Sequence, residues 1–267
     1  MNENPPLLDL DPQTTDDPRC IPITLDAPIE EGDAIAYPTY TAEEHETWRI
    51  MYARQRELLP THACQEFLDG MEQLKFPDDR IPALRDVSRE LDKATKWTLA
   101  RSPGLLHEKD FFELLARRVF PSTDYIRPRS ELDYTPAPDL FHDIFGHCPM
   151  ITLPSFANFY QRIGQAAAKA EGEVREGLVR IYWFTVEFGL VRQNGKDLIY
   201  GNGIASSYAE AKNSLTDAVE RRPFIPNMVA QQPYDIWHMQ PVLFVIDSFE
   251  QLEQSFDDWA KRNGLLS

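Results

Sequence analysis

The sequence predicts a mainly α fold with a small β component, one domain behind an acidic leader. Three observations predict it. Apolar residues recur at helical spacing through most of the chain, whereas runs that read as strands are few and short. Hydrophobic residues make up 42% of the 267 and charged residues 26%, enough apolar side chain for one sizeable core. No composition shift or linker interrupts residues 36–267, so that span reads as a single body.

Residues 1–35 read differently. They hold nine acids against one base, Arg19, and six of the 21 prolines. Like charges repel and prolines remove backbone donors, so an extended, partly disordered leader is expected there. This segment carries half of the net charge of −16, so the acidity says little about the substrate. The overall sign still makes nucleic acid and anionic membrane surfaces poor partners. No run approaches eighteen apolar residues, and the first residues show no basic and apolar signal pattern. Three scattered cysteines, Cys20, Cys64 and Cys148, offer neither a disulfide framework nor a Cys-rich zinc site, and a reducing, cytoplasmic setting is expected.

The body opens with a capping box, Thr41 with Glu44, followed by Trp48, Met51 and Tyr52 at helical spacing and ended by Pro60. A second helix carries Cys64, Phe67, Leu68, Met71 and Leu74. A third opens at Pro82 and aligns Leu84, Val87 and Leu91. A fourth covers about 108–119. Further helical patterns occupy about 138–146, 155–170, 180–190 and 207–219, the last capped by Ser207 with Glu210. Strands are expected at 198–200 and 242–246. Ser248 with Gln251 caps a last helix, which Gly264 stops.

The chemistry concentrates in the segment from Pro138 to Pro149, which holds His142 and His147. In a straight α-helix five residues rotate by about 500°, leaving two such rings roughly 140° apart. Gly146 and Pro149 favour a helix ending near Gly146, which would free His147 to turn back toward His142. Taken alone the pair is outweighed by the plainer reading of surface or hydrogen-bonded core histidines. Glu187 changes the balance. It is the sole charge in the run Ile181–Leu190, and a carboxylate among apolar residues demands a partner. Arg180 or Arg192 would serve as ion-pair partners; a metal shared with the two histidines would serve as well. Two histidines and one carboxylate suit iron(II) with open coordination positions, and equally catalytic zinc.

Other residues read less sharply. Arg127 could clamp a carboxylate, or pair at the surface. Asp139 could orient the His142 ring, or act as a first-turn acid. Phe111, Tyr182 and Trp183 could stack on a planar ligand, or fill the core. Cys148 reads as a small buried residue.

These residues lie in ordered blocks: Arg118-Val119-Phe120, Tyr125-Ile126-Arg127, Tyr134-Thr135-Pro136, His142 through Pro149, Ile181 through Leu190, Tyr200-Gly201-Asn202-Gly203 and Gln240-Pro241. Across roughly 40–255 the sequence resembles the catalytic domain of the pterin-dependent aromatic amino acid hydroxylases, in particular their bacterial phenylalanine-hydroxylating members. The resemblance implies that family's single-domain catalytic fold over 36–267. It implies Fe(II) on His142, His147 and Glu187, the catalytic centre. It places substrate on Arg127, Thr135, Asp139, Trp183, Ser206 and Ile236. It places tetrahydrobiopterin, or a related reduced pterin, on Leu105, Leu106, Phe111, Asp143 and Tyr182. Ile236 matches a position that is apolar in phenylalanine-specific members, so L-phenylalanine with O2 is the expected substrate pair, and L-tyrosine the product. Ala137 and Pro121 depart from the Glu and His of some animal members. No regulatory domain or oligomerising tail of the animal kind is present, so a monomer is expected. Tryptophan or tyrosine hydroxylation is the near alternative. A zinc hydrolase with Asp143 as base is the alternative from another class, and a silent pterin-binding scaffold is a third.

Overall fold

Thr41 and Glu44 form the reciprocal cap that their spacing announces. The Thr41 hydroxyl accepts from the Glu44 N–H (3.2 Å), and the Glu44 carboxylate accepts from the Thr41 N–H (2.7 Å). The helix they start, α1 (Ala42–Leu58), buries Trp48, Met51 and Tyr52, and a 3-10 turn holding Pro60 ends it. The computed structural model describes residues 17–133, 135, 137–235 and 238–267; residues 1–16 of the expected leader, and Ile236, lie outside the described residues.

Helix α2 spans Gln65–Leu74. Helix α3 spans Leu84–Thr95, beginning two residues after Pro82 rather than on it. Strand β1 (Thr98–Ser102) follows, then α4 (Glu108–Ala116) and β2 (Val119–Thr123). The expected helix 108–119 therefore stops early, and Val119 belongs to a strand paired parallel to β1. Arg118 makes the reversal with φ of 62°, a left-handed conformation unusual for a residue with a side chain. Its guanidinium is tied to the Thr95 carbonyl (2.8 Å), Asn158 (2.6 Å) and Gln161 (2.9 Å), which holds the turn.

Phe141–His147 forms a π-helical segment and runs into α5 (Cys148–Ile151), α6 (Pro154–Ala167) and α7 (Gly172–Tyr182). A second π segment, Trp183–Glu187, continues α7. The expected single helix over 180–190 is overturned here. The chain becomes strand β3 at Gly189–Gln193, because Leu190 and Val191 are buried within a sheet. Strand β4 (Lys196–Ile199) folds back through Asn194 and Gly195, both at positive φ (51° and 76°), which suits a two-residue hairpin. Helices α8 (Asn202–Ser206) and α9 (Tyr208–Asn213) follow, α9 ending short of the expected 219. Then come β5 (Glu220–Pro223), α10 (Pro226–Val229), β6 (Val242–Ile246) and α11 (Phe249–Arg262). The sheet order is β4-β3-β6-β5, with β6 parallel to both neighbours.

Mainly α with two small sheets is thus the architecture. One large cluster of buried side chains joins α1–α3, both π segments, α6 and the four-stranded sheet. Residues 17–35, which composition groups with the leader, lie against this body. Ile23 exchanges backbone hydrogen bonds with Leu105 and His107 (2.8 and 2.7 Å), and Arg19 pairs with Asp17 and Glu131. Cys20, Cys64 and Cys148 are all buried. Among the described residues, no helix is long and apolar enough to cross a membrane.

Candidate metal centre and its surroundings

The two histidines reach each other by a route their spacing did not suggest. The helix does not end at Gly146. It widens instead, and hydrogen bonding from residue i to i+5 brings side chains five apart to nearly one face. His142 Nε2 and His147 Nε2 stand 3.0 Å apart. Phe141 and Phe145 point into the core, their rings stacked at 4.6 Å. Gly146 has a different task from stopping a helix. A Cβ there would lie 2.8 Å from the Asn202 carbonyl, so glycine lets the π segment pack directly on α8.

Glu187 arrives from the second π segment. Its carboxylate oxygens lie 3.7 Å from His142 Nε2 and 3.4 Å from His147 Nε2. Neither flanking arginine reaches it. Arg180 binds Glu176 and the Ala230 carbonyl, and Arg192 binds Asp197. Tyr182, five residues before Glu187, donates its hydroxyl to Glu187 Oε1 (2.9 Å). Among the described residues, these three side chains are the one cluster whose ligand atoms could share a metal, all within 4.8 Å.

The donor set fits a cation. The Ser206 hydroxyl donates to the Gly203 carbonyl (3.3 Å), so toward His142 Nδ1 (3.0 Å) it acts as acceptor. His142 then carries its proton on Nδ1 and has a lone pair on Nε2. Burial keeps the rings neutral, pushing His142 down to about 4 and His147 well below its ordinary value. Burial likewise raises Glu187 to about 7, against the Tyr182 hydrogen bond. Electron-rich atoms converging in a dry site repel unless a cation stands among them.

Around this centre the structure sorts the other expected residues. Arg127 and Asp139 form a buried bidentate pair, Nε to Oδ2 at 2.8 Å and Nη2 to Oδ1 at 2.7 Å. Asp139 also accepts from the backbone N–H groups of Arg127 (2.9 Å) and His142 (3.0 Å). Burial opposes its ionisation, but Arg127 and these donors outweigh it and hold its pKa below the usual carboxylate range. Asp139 therefore does not orient the His142 ring; Ser206 does. Thr135 donates to Glu131 (3.1 Å) and to the Ala137 carbonyl (3.1 Å). Trp183 is sandwiched between Phe188 (4.6 Å) and Tyr234 (4.7 Å), its buried Nε1 without a hydrogen-bond partner among the described residues. Phe111 meets Tyr182 edge-on at 5.9 Å and packs with Leu106; the Leu105 carbonyl accepts from Ile23. Asp143 accepts from the Thr123 N–H (2.8 Å) and hydroxyl (2.9 Å), yet burial dominates and raises it to about 8, so at neutral pH it is mostly a neutral acid.

Several residues went unread in the sequence. Phe120 stacks on His147 at 4.6 Å, and the His147 Nδ1 meets Tyr160 (3.0 Å) and Asn202 (2.9 Å). Asn202 stands in the Gly201-Asn202-Gly203 block, a signal that was available. Tyr160 lies on the buried face of α6 among core aromatics, where nothing in the spacing marks a hydroxyl as special.

Residues 23–264 match the sequence model of the biopterin-dependent aromatic amino acid hydroxylase family. The chain is 44% identical over 215 residues to a phenylalanine-4-hydroxylase of Pseudomonas aeruginosa, covering 80% of this chain and 82% of that one. It is also 44% identical over 237 residues to a bovine (Bos taurus) tyrosine 3-monooxygenase, but the match spans 87% of this chain and only 48% of that protein. Its fold is similar to that of phenylalanine hydroxylase from Chromobacterium violaceum, whose structure holds iron(III) and 7,8-dihydrobiopterin. The TM-score is 0.80 at 40% identity, covering 84% of this chain and 82% of that one.

Proposed function

The chain belongs to the biopterin-dependent aromatic amino acid hydroxylase family, and from that premise we propose that it hydroxylates L-phenylalanine to L-tyrosine with Fe(II), a tetrahydropterin and O2. The observation that carries this reading is the convergence of His142, His147 and Glu187, with Tyr182 donating to Glu187 and Phe111 edge-on to Tyr182. Three protein ligands leave coordination positions open, and the bound iron with the reduced pterin supplies the oxygen chemistry.

What the chain's own residues do follows from their contacts. Asp139 holds the Arg127 fork rigid from one side, leaving the Nη1 side to clamp a substrate carboxylate. Thr135, on the loop beyond, and Ser206, already bound to His142, border that end. Trp183, with Phe188 and Tyr234 stacked on it, is assigned to the end that takes the substrate ring. An amino acid held at one end and stacked at the other offers a fixed ring carbon to the oxidant. Phe111, with Leu105, Leu106 and Tyr182, forms the wall for a flat pterin, and the neutral Asp143 can donate a hydrogen bond to it. The zinc-hydrolase alternative fares poorly, since Asp143 is turned to the Thr123 N–H and hydroxyl and is mostly protonated at neutral pH, so little of it is free to take a proton from water.

Tyrosine hydroxylation is a second reading that one observation favours: the bovine tyrosine 3-monooxygenase is as similar per residue as the bacterial phenylalanine hydroxylase. Coverage of most of the bacterial chain tips the choice. The reading includes a cytoplasmic monomer, with residues 17–267 acting as one catalytic unit. The test is turnover of phenylalanine, tyrosine and tryptophan in turn, with Fe(II), reduced pterin and O2. Tyrosine, from hydroxylation of phenylalanine at the para position, is the expected main product. No pterin-dependent product from any of the three would overturn the reading.

A further inference from the structure

We propose that Tyr160 is a positioning residue that sets the proton on His147 and couples that ligand to Glu187. The proposal rests on the metal-centre reading above and deepens it. Three contacts carry it: His147 Nδ1 to Tyr160 Oη (3.0 Å), Tyr160 Oη to Tyr182 Oη (3.2 Å), and Tyr182 Oη to Glu187 Oε1 (2.9 Å). Each phenol has one proton to give. Tyr182 gives its proton to the carboxylate, which only accepts when ionised. Its oxygen is then the acceptor for Tyr160, so Tyr160 has none left for the imidazole. The remaining contact has one direction: His147 Nδ1–H donates to Tyr160. The ring is thereby held as the Nδ1–H tautomer, with the Nε2 lone pair facing His142 and Glu187.

The chain joins residues from three elements: the first π segment, α6 and the end of α7 with the second π segment. Two ligands far apart in sequence are thus preset by a single run of hydrogen bonds. Asn202 completes the environment. As placed, its Nδ2 faces the same ring nitrogen at 2.9 Å while its buried Oδ1 has no hydrogen-bond partner among the described residues. Two donors cannot face each other, so the amide presents its oxygen to His147, an exchange that heavy-atom positions alone do not distinguish. The Tyr160 ring itself is fully buried and stacks on Trp97 at 5.4 Å, so packing and hydroxyl must be separated experimentally.

Tyr160→Phe keeps the ring and removes only the hydroxyl. Anaerobic titration with Fe(II) should show affinity roughly 10- to 100-fold weaker than in the unsubstituted chain, the usual effect of losing a partner behind a ligand histidine. Nitrogen-15 NMR of the metal-free protein, above pH 7 where Glu187 is ionised, should show part of the His147 Nδ1–H population lost to the Nε2–H tautomer, the Asn202 oxygen alone retaining the rest. Tyr182→Phe should move the same signal by acting through Tyr160, which is then free to donate to the ring. Melting curves identify any unfolded variant, in which case Tyr182→Phe carries the test. Unchanged Fe(II) affinity and an unchanged tautomer in Tyr160→Phe would overturn the proposal. So would a His147 signal indifferent to Tyr182→Phe. Failure of the unsubstituted chain to bind Fe(II) would instead defeat the metal-centre reading.

Discussion

The two π segments solve the same problem in different ways. Phe141–His147 uses its widened turn to bring two ligands, His142 and His147, onto one face. Trp183–Glu187 uses an equal step of five to bring one ligand, Glu187, under its own hydrogen-bond donor, Tyr182. The first runs on into helix α5 and needs Gly146 so that α8 can approach. The second ends in a strand, and the Thr185 hydroxyl ties its turn to the Ile181 carbonyl at 2.5 Å. The comparison teaches that a rare backbone geometry is held once by the absence of a side chain and once by the presence of one. Both occur where ligand atoms must converge, which is where widened turns tend to be found.

The comparison can be broken most severely at Glu187. Glu187→Ala should reduce pterin-dependent turnover to background and weaken Fe(II) binding, both measurable on the purified chain. A silent scaffold would retain its function.

Next in size is the pH dependence of the metal-free protein. Burial raises Glu187 to about 7 and Asp143 to about 8, so the folded state holds both protons more tightly than the unfolded chain does. Stability should therefore fall as pH rises from about 6.5 to about 8; below about 6.5 the two histidines, neutral in the folded state and protonated in the unfolded chain, offset the two carboxyl groups. Fe(II) removes the Glu187 share, so the loaded protein should show a shallower decline, and Fe(II) affinity should rise with pH up to about 7 and then level off. Melting temperature against pH, with and without metal, checks both; parallel curves would count against Glu187 as a ligand.

Smaller effects separate the two segments from each other. Gly146→Ala forces a Cβ against the Asn202 carbonyl and should cost about 1–3 kcal/mol of stability by denaturant unfolding. Thr185→Val keeps the shape, loses one hydrogen bond, and should cost about 1 kcal/mol. If Thr185→Val proves the costlier, the second segment is the more strained of the two.

Much of this was legible in the sequence for physical reasons. Capping pairs such as Thr41 with Glu44 are local, so their geometry follows from spacing alone. Strand β6 was read at its true bounds because Val242–Ile246 is an unbroken apolar run with β-branched residues at both ends. Glu187 stood out because a lone carboxylate in an apolar run must be answered by something. Strands β1, β2, β3 and β5 were missed because each has only four or five residues and a parallel partner far away in sequence, and β2 and β3 also begin where the preceding helical pattern was expected to continue. The π geometry was invisible because nothing in a residue's identity announces a step from i+4 to i+5. His142 and His147 were therefore paired correctly, but by an expected helix end at Gly146 that does not exist. Asp139 fell on Arg127 and backbone amides rather than on the histidine ring, a choice that only the fold could make.

Strand β3 has a consequence for how the molecule tolerates change. Glu187 sits two residues before Gly189, where β3 enters the sheet between β4 and β6. Side chains alternate along a strand, so a slip of one residue against β6 would exchange the two buried faces that Leu190 and Val191 fill. The sheet therefore works as a ruler that meters out the chain leading to the carboxylate. An extra residue in the Asn194-Gly195 turn lies downstream of the ruler and can bulge into solvent. The same insertion between Glu187 and Gly189 would have to be absorbed at the metal centre.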